Sequence, residues 1–314
     1  MTKRVLVVGG AHLDRRGRIA GETAPGASNP GSWHEDVGGG AFNVARNLAR
    51  LGHAVELVAP RGGDAAGDRV AAEALSAGIE DRPVVFLDRA TPSYTAILER
   101  DGNLVIALAD MDLYRFFTPR RLRARSFREA IERADLIVCD ANLPDDTLAA
   151  LAAKARLREI PIAGISISPA KVVRFRNALP DLTWLFMNRA EATALAGTAP
   201  DAADRWPDLL RPLGLSGGVV TRGGDEIAAF DGPQSLVAKP PAATEIVDVT
   251  GAGDALAAGT LDALLAGHGL PEALARGIAA SQIALASPYS APPELDRPSL
   301  ERRAASLAAL TRSP

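Results

Sequence analysis

The chain has 314 residues, enough for one large α/β domain or two smaller ones, and 47% of them are apolar, which supplies a sizeable core. A net charge of −3 offers no overall basic field to recruit nucleic acid. The single cysteine, Cys139, excludes an internal disulfide and fits a reducing compartment; with no apolar run long enough for a signal peptide or a membrane span, a cytoplasmic protein is expected.

Val5–Gly10 reads as a buried first strand ending in glycines. His12 and Asp14 follow at once, polar groups where the carboxyl end of a strand meets a crevice, which is where open α/β sheets bind ligands. From Arg15 to Val37 the text turns to Gly, Pro, Ser and Asn with no helical period, too long for an ordinary loop. Gly38, Gly39 and Gly40 then open a helix over Val44–Leu51, stopped by Gly52. A strand over Ala54–Pro60 and a helix around Asp68–Ala77 come next. Three short strands follow at 84–87, 94–99 and 104–108, with a hairpin turn at Asp101-Gly102. They interrupt the βα rhythm. A lid sheet built from about 15–37 and 83–112 is therefore expected beside the main body, and its edge would pair with a second copy in a homodimer.

After Pro119, strand and helix alternate to the end, with strands at 136–139, 162–165 and 183–187 and a hairpin-like pair at 218–221 and 226–230. The end is helical, at 252–266, 271–286 and 299–310. Such alternation implies a mostly parallel central sheet with helices on both faces, in a single domain spanning 1–314.

The most informative stretch is Asp248-Val249-Thr250-Gly251-Ala252-Gly253-Asp254, which runs into a small-residue helix. A glycine turn at a helix start gathers backbone N–H groups and dipole potential at one point, and an anion is the natural guest. Asp254 alone reads equally as a cap and as a base. Two carboxylates around one such turn, with Thr250, favour the base: phosphoryl transfer to a hydroxyl needs an oxyanion cradle and a proton acceptor.

With Gly38-Gly39 and Asn43 early and Asp248–Asp254 late, the chain resembles the ribokinase-like, phosphofructokinase-B type kinases over nearly its full length. The segments Ser28–Gly31, Asn47–Gly52, Ala109–Tyr114 with Thr118-Pro119, and Asp140–Pro144 are similar to the pseudouridine-kinase branch. The resemblance implies a three-layer ribokinase-like sandwich and an ATP-dependent kinase acting on the 5′-hydroxymethyl group of a nucleoside, pseudouridine first, with a ribokinase- or fructokinase-like sugar kinase as the alternative. It makes Asp254 the base and the amides of Gly251, Ala252 and Gly253 the anion hole. It assigns Asp14, Gly38, Gly39, Asn43 and Asn142 to the acceptor pocket, together with His12, which stands where the family has Asn. Asn188 and Glu191 match its Asn-x-x-Glu motif, where Glu191 orients magnesium-bound water. Thr221 and Gly223 match its nucleotide-phosphate loop, and Asp248 and Thr250 its potassium loop. Gly40 replaces the lysine of ribokinases proper, Phe42 is expected in the core, and Arg222 is unusual beside the phosphate loop.

Two readings from other classes are weaker. Gly9–Asp14 lacks the Gly-x-Gly-x-x-Gly spacing of a dinucleotide-binding oxidoreductase. A catalytically silent nucleotide binder would not need Asp254 beside an anion turn.

Overall fold

The computed structural model describes residues 2–243 and 245–310. Among the described residues nine strands form the main sheet, in the order Gln234–Ala238, Ile227–Asp231, Gly217–Thr221, Trp184–Asn188, Ile162–Ile165, Leu136–Asp140, Arg4–Val8, Ala54–Val58 and Glu80–Asp81. All pairings are parallel except the two made by Ile227–Asp231. Because side chains alternate across a pleated strand, the first strand feeds two cores. Val5 and Val7 join the helices Gly40–Arg50, Ala65–Ser76, Ala252–Leu265 and Leu270–Leu285 on one face. Leu6 and Val8 join Arg125–Arg133, Asp145–Arg156 and Arg189–Ala196 on the other. This is the three-layer ribokinase-like sandwich.

Strand order runs one way from Arg4–Val8 through Leu136–Asp140 and the other way through Ala54–Val58. Chain connections therefore diverge at the carboxyl ends of the first and the 136–140 strands, leaving a crevice there. Cys139 lies in that neighbouring strand with its thiol buried and its pKa pushed up by desolvation, a core group rather than a nucleophile.

A separate four-stranded sheet, ordered Gly31–Gly38, His12–Ile19, Ser93–Leu98 and Leu104–Asp110, stands beside this crevice. One expected member is absent from it. Val84–Phe86 pairs with Pro60–Gly62 in a small sheet of its own. The preceding Glu80–Asp81 is bonded to the edge of the main sheet, and Val84 N–H donates to Ala59 C=O at 3.0 Å, so this segment is tethered too close to the main sheet to reach the side sheet. The strand Gln234–Ala238 escapes the sequence reading because its mostly exposed residues carry no clean alternation.

The final helix, Arg297–Leu310, is fastened by a buried polar knot. Lys3 N–H donates to His53 Nδ1, so the imidazole proton sits on Nε2 and is given to Asp262 Oδ1 at 2.9 Å. Arg297 donates to both Asp262 oxygens, at 2.7 and 3.4 Å, and to Leu51 C=O. Burial alone would raise the Asp262 carboxyl, but the His53 and Arg297 hydrogen bonds outweigh it and hold the pKa below the ordinary value. Asp262→Ala leaves the buried His53 Nε2–H without its acceptor, while the partly exposed Arg297 guanidinium turns to solvent, and should cost about 1–3 kcal/mol. Urea unfolding checks this; a loss below about 1 kcal/mol would mean the knot relaxes without it.

Candidate active site

The crevice is a cavity of about 450 Å³ walled by both sheets. His12, Asp14, Gly39, Asn142, Asn188, Glu191, Thr221, Gly253 and Asp254 all line it, so nine residues singled out from sequence meet around one space. The others stand behind the wall or beside it.

Asp254 occupies the first turn of the helix Ala252–Leu265, whose cap residue Gly251 has φ +81° and makes no side-chain cap bond. A Cβ at Gly251 would lie 2.0 Å from the Ser290 carbonyl oxygen, so only glycine fits that turn. Ala252 N–H makes a long 3.3 Å bond to Val249 C=O, while no acceptor among the described residues takes the N–H of Gly251 or Gly253. Open amides at a helix start suit an anion. The Asp254 carboxylate is open to the cavity and ringed by protein elsewhere. Burial pushes its pKa up to about 7, the Asn43 hydrogen bond pulls down, Asp140 pushes up, Arg46 pulls down and Glu191 pushes up. Asn43 is not on the cavity wall. Its Nδ2 donates to Asp254 Oδ2 at 2.8 Å, a tie to the candidate base that the sequence did not announce.

On the side-sheet flank, His12 bridges two groups. Its Nδ1 is 3.0 Å from the Tyr114 hydroxyl and its Nε2 3.4 Å from Asp14 Oδ1. Gly38 makes room for that carboxylate, since a Cβ there would sit 2.0 Å from Asp14 Oδ2. Asn142 is oriented from below by Asp140, a fully buried carboxylate that also accepts the N–H of Gly10 at 3.0 Å and of Ala41 at 3.1 Å. Asp140 thus ties the first strand's end to the start of the helix Gly40–Arg50, where the dipole favours its charge. Lys171 gives its ammonium to Asn142 Oδ1 at 2.7 Å and faces the same cavity. Asp140 opens the family-like segment Asp140–Pro144 but carries no expected role there, and Lys171 lies in no motif of the sequence.

On the opposite flank, Asn188 and Glu191 form a capping box at the helix Arg189–Ala196. Glu191 is buried, not a solvated helix residue. Its Oε2 accepts from Asn188 N–H at 2.7 Å and from the Ser166 hydroxyl at 2.5 Å, leaving Oε1 for the cavity. Thr221 ends its strand at the wall, and Gly223 turns with φ +57° in open space. Arg222 pairs with exposed Asp225 at 3.4 Å. Phe42 is wholly buried.

Fit to metal ions differs between the two places expected to hold them. A lone carboxylate oxygen suits magnesium carried largely by water and substrate phosphates, as at Glu191. Asp248 fits potassium poorly: Oδ1 accepts both the N–H and the hydroxyl of Thr250, and Oδ2 meets the Arg16 guanidinium at 3.3 Å. Neither Asp248 nor Thr250 lines the cavity.

Comparison with known proteins gives the family. Residues 2–297 match the model of the pfkB family carbohydrate kinases. The chain belongs to that family. As a pfkB-family member it is a phosphotransferase with a hydroxyl group as acceptor. It is 29% identical over 295 residues to the pseudouridine kinase of Escherichia coli, covering 93% of each chain. A carbohydrate kinase from Agrobacterium tumefaciens shares 57% identity and a TM-score of 0.90 over 98% of each chain. An Arabidopsis thaliana ribokinase, 22% identical, shares the fold with a TM-score of 0.85 over 97% of this chain and 99% of its own.

A carboxyl raised by burial also carries a stability signature. In the unfolded chain Asp254 ionises near its ordinary value, whereas the folded protein resists the charge until about pH 7. The folded state is therefore favoured below the unfolded pKa, and that advantage is lost as pH rises to the folded one. Asp254→Asn removes the penalty, so its melting temperature should exceed wild type by a margin that grows from about pH 4 to about pH 7 and then levels. Thermal unfolding across pH checks this; a constant margin would mean the carboxyl is not shifted.

Proposed function

We propose that this chain is an ATP-dependent kinase that phosphorylates the 5′-hydroxymethyl group of a nucleoside, with pseudouridine as the first candidate. The observation that carries the reading is Asp254, its carboxyl raised to about 7, between the Asp14 flank and the Glu191 flank of one cavity. Asp14, steadied by His12, accepts hydrogen bonds from the ribose hydroxyls, and the open backbone at Gly39 admits the sugar. Asn142 and Lys171 reach toward its far side. ATP lies along Asn188, Glu191, Thr221 and Gly223. Magnesium would be held there through water by Glu191 Oε1 and would supply charge neutralisation to the phosphates. Asp254 accepts the hydroxyl proton as the oxygen attacks the γ-phosphorus; the new O–P bond forms while the bond to ADP's leaving oxygen breaks. The amides of Gly251, Ala252 and Gly253 take up charge on the transferring group.

The preference for pseudouridine rests on an acceptor for its additional ring N–H, because a site built for a hydrogen bond rejects an analogue lacking it. Among the polar side chains of the side-sheet segments that could accept it, Asn29 is committed to its own loop through Ala24 and Ala27, and Ser28 shares that exposed turn. Tyr94 lines the cavity, so strand alternation turns Thr95 away. Asp110 and Asp112 flank the cavity-lining Met111, and Asp112 borders an adjoining hollow of about 360 Å³ shared with Tyr114 and Lys171. Asp112 is the acceptor we favour. A second reading, a ribose- or fructose-type sugar kinase, is supported by the 57% identical carbohydrate kinase. The exposed apolar residues Trp33, Ile106 and Leu108 on the side sheet support a homodimer through that face.

Asp254→Asn should lower kcat by about 10²–10⁴ with ATP and acceptor KM within a few fold, as expected for loss of a general base. Retention of more than a tenth of wild-type turnover overturns that role. In one coupled assay, kcat/KM should rank pseudouridine above uridine, ribose and fructose. A higher value for ribose or fructose selects the sugar-kinase reading instead.

A further inference from the structure

Asn43 presents an amide whose two ends are almost the same shape and opposite in hydrogen bonding: its NH2 only donates and its carbonyl only accepts. Which end meets Asp254 is decided at the other end. Asn43 Oδ1 receives Arg46 Nη2 at 2.7 Å and the Ser290 hydroxyl at 3.4 Å. A flipped amide would set NH2 against guanidinium N–H and carbonyl oxygen against carboxylate, two repulsive contacts in place of two attractive ones. Arg46 is itself fixed. The residue is 3% exposed, its Nη2 also donates to Val37 C=O at 2.8 Å and its Nη1 to Glu73 at 3.2 Å, and its guanidinium lies 4.8 Å over the Phe42 ring. The three-residue spacing places Asn43 and Arg46 on one face of their helix, so a single element carries both groups.

We propose that Arg46 is a positioning residue of the phosphoryl-transfer site, locking the Asn43 amide with its NH2 on Asp254 and placing a fixed positive charge one residue behind the base. This rests on the reading of Asp254 as base. Asp140 and Glu191 face Asp254 with negative charge from the 136–140 strand and the Arg189–Ala196 helix, and burial adds to their effect. Arg46 and the Asn43 hydrogen bond oppose them from the Gly40–Arg50 helix. Glu73, partly exposed on the Ala65–Ser76 helix, tempers Arg46 from outside. The arrangement is a relay from a surface carboxylate through a buried guanidinium and an amide to the reacting carboxylate.

The test is the acid limb of the pH profile of kcat. It is measured with ATP and whichever of pseudouridine, uridine, ribose and fructose turns over fastest. Arg46→Met should move the limb up by about one unit, lower kcat near pH 7 by about tenfold and recover part of that loss near pH 9. The KM for ATP should stay within about threefold, since Arg46 does not line the cavity. Glu73→Gln sits at the surface, folds regardless and should move the limb the other way, down by about 0.3 unit. Arg46→Lys, which keeps a charge that can reach the same carbonyl, should hold the limb within about 0.3 unit of wild type. A limb unmoved in both Arg46→Met and Glu73→Gln, whatever the change in kcat, overturns the proposal. So does an unmoved or raised limb in Glu73→Gln when Arg46→Met does not fold. Asp254→Asn run alongside keeps the two readings apart: retained turnover there sinks the base, whereas lost turnover there with unmoved limbs sinks only Arg46.

Discussion

A carboxylate largely withdrawn from water at the start of a helix, open only to the cavity, is the constraint on which this molecule turns. Burial drives Asp254 toward its neutral form, and the neighbouring charges of Asp140 and Glu191 drive it the same way. Only the donors behind it pull back. The balance leaves the group near neutrality, where a proton acceptor has both the right charge state and useful basicity. Its position follows from Gly251, whose left-handed turn brings the helix against the Ser290 backbone closer than any side chain would allow. Stability is given up at this point, as expected of a site that binds and reacts.

The rest of the cavity is positioned by the switch in strand order. Parallel strands leaving in opposite directions open a cleft at their carboxyl ends, and Asp140 stands in it as the joint. By accepting from Gly10, Ala41 and Asn142 it fixes a strand end, a helix start and a wall residue at once. Its charge also reaches Lys171. Desolvation lowers the Lys171 pKa while Asp140 works to raise it. That flank of the cavity is therefore held from behind by Asp140, a charge a ligand need not touch, whereas Asp14, Lys171 and Glu191 line the cavity directly.

Much of this was legible in the chain. Strands such as Ile162–Ile165 and helices such as Asp145–Arg156 announce themselves by local apolar pattern, and the late glycine turn by its composition. The cavity residues His12, Asp14, Asn188 and Asp254 stand at or within three residues of an element's end, where sequence position predicts a crevice. What stayed hidden depends on contacts far apart in the chain. Arg46 looks like a helix surface residue until Ser290, some 240 positions on, closes over it. Val84–Phe86 reads as a free strand because its tether to Ala59 is not a local property. Asp248 matches a cation loop by sequence, yet Arg16 from the side sheet occupies its second oxygen.

The most direct test is to watch the Asp254 carboxyl itself. Infrared difference spectra of wild type against Asp254→Asn isolate its C=O stretch, which only the protonated form shows. A band present near pH 5.5, absent near pH 8.5 and lost with a midpoint close to the value of about 7 is the predicted result. Full ionisation already by about pH 5 would contradict it, because a carboxylate that comfortable in its charge is solvated rather than buried.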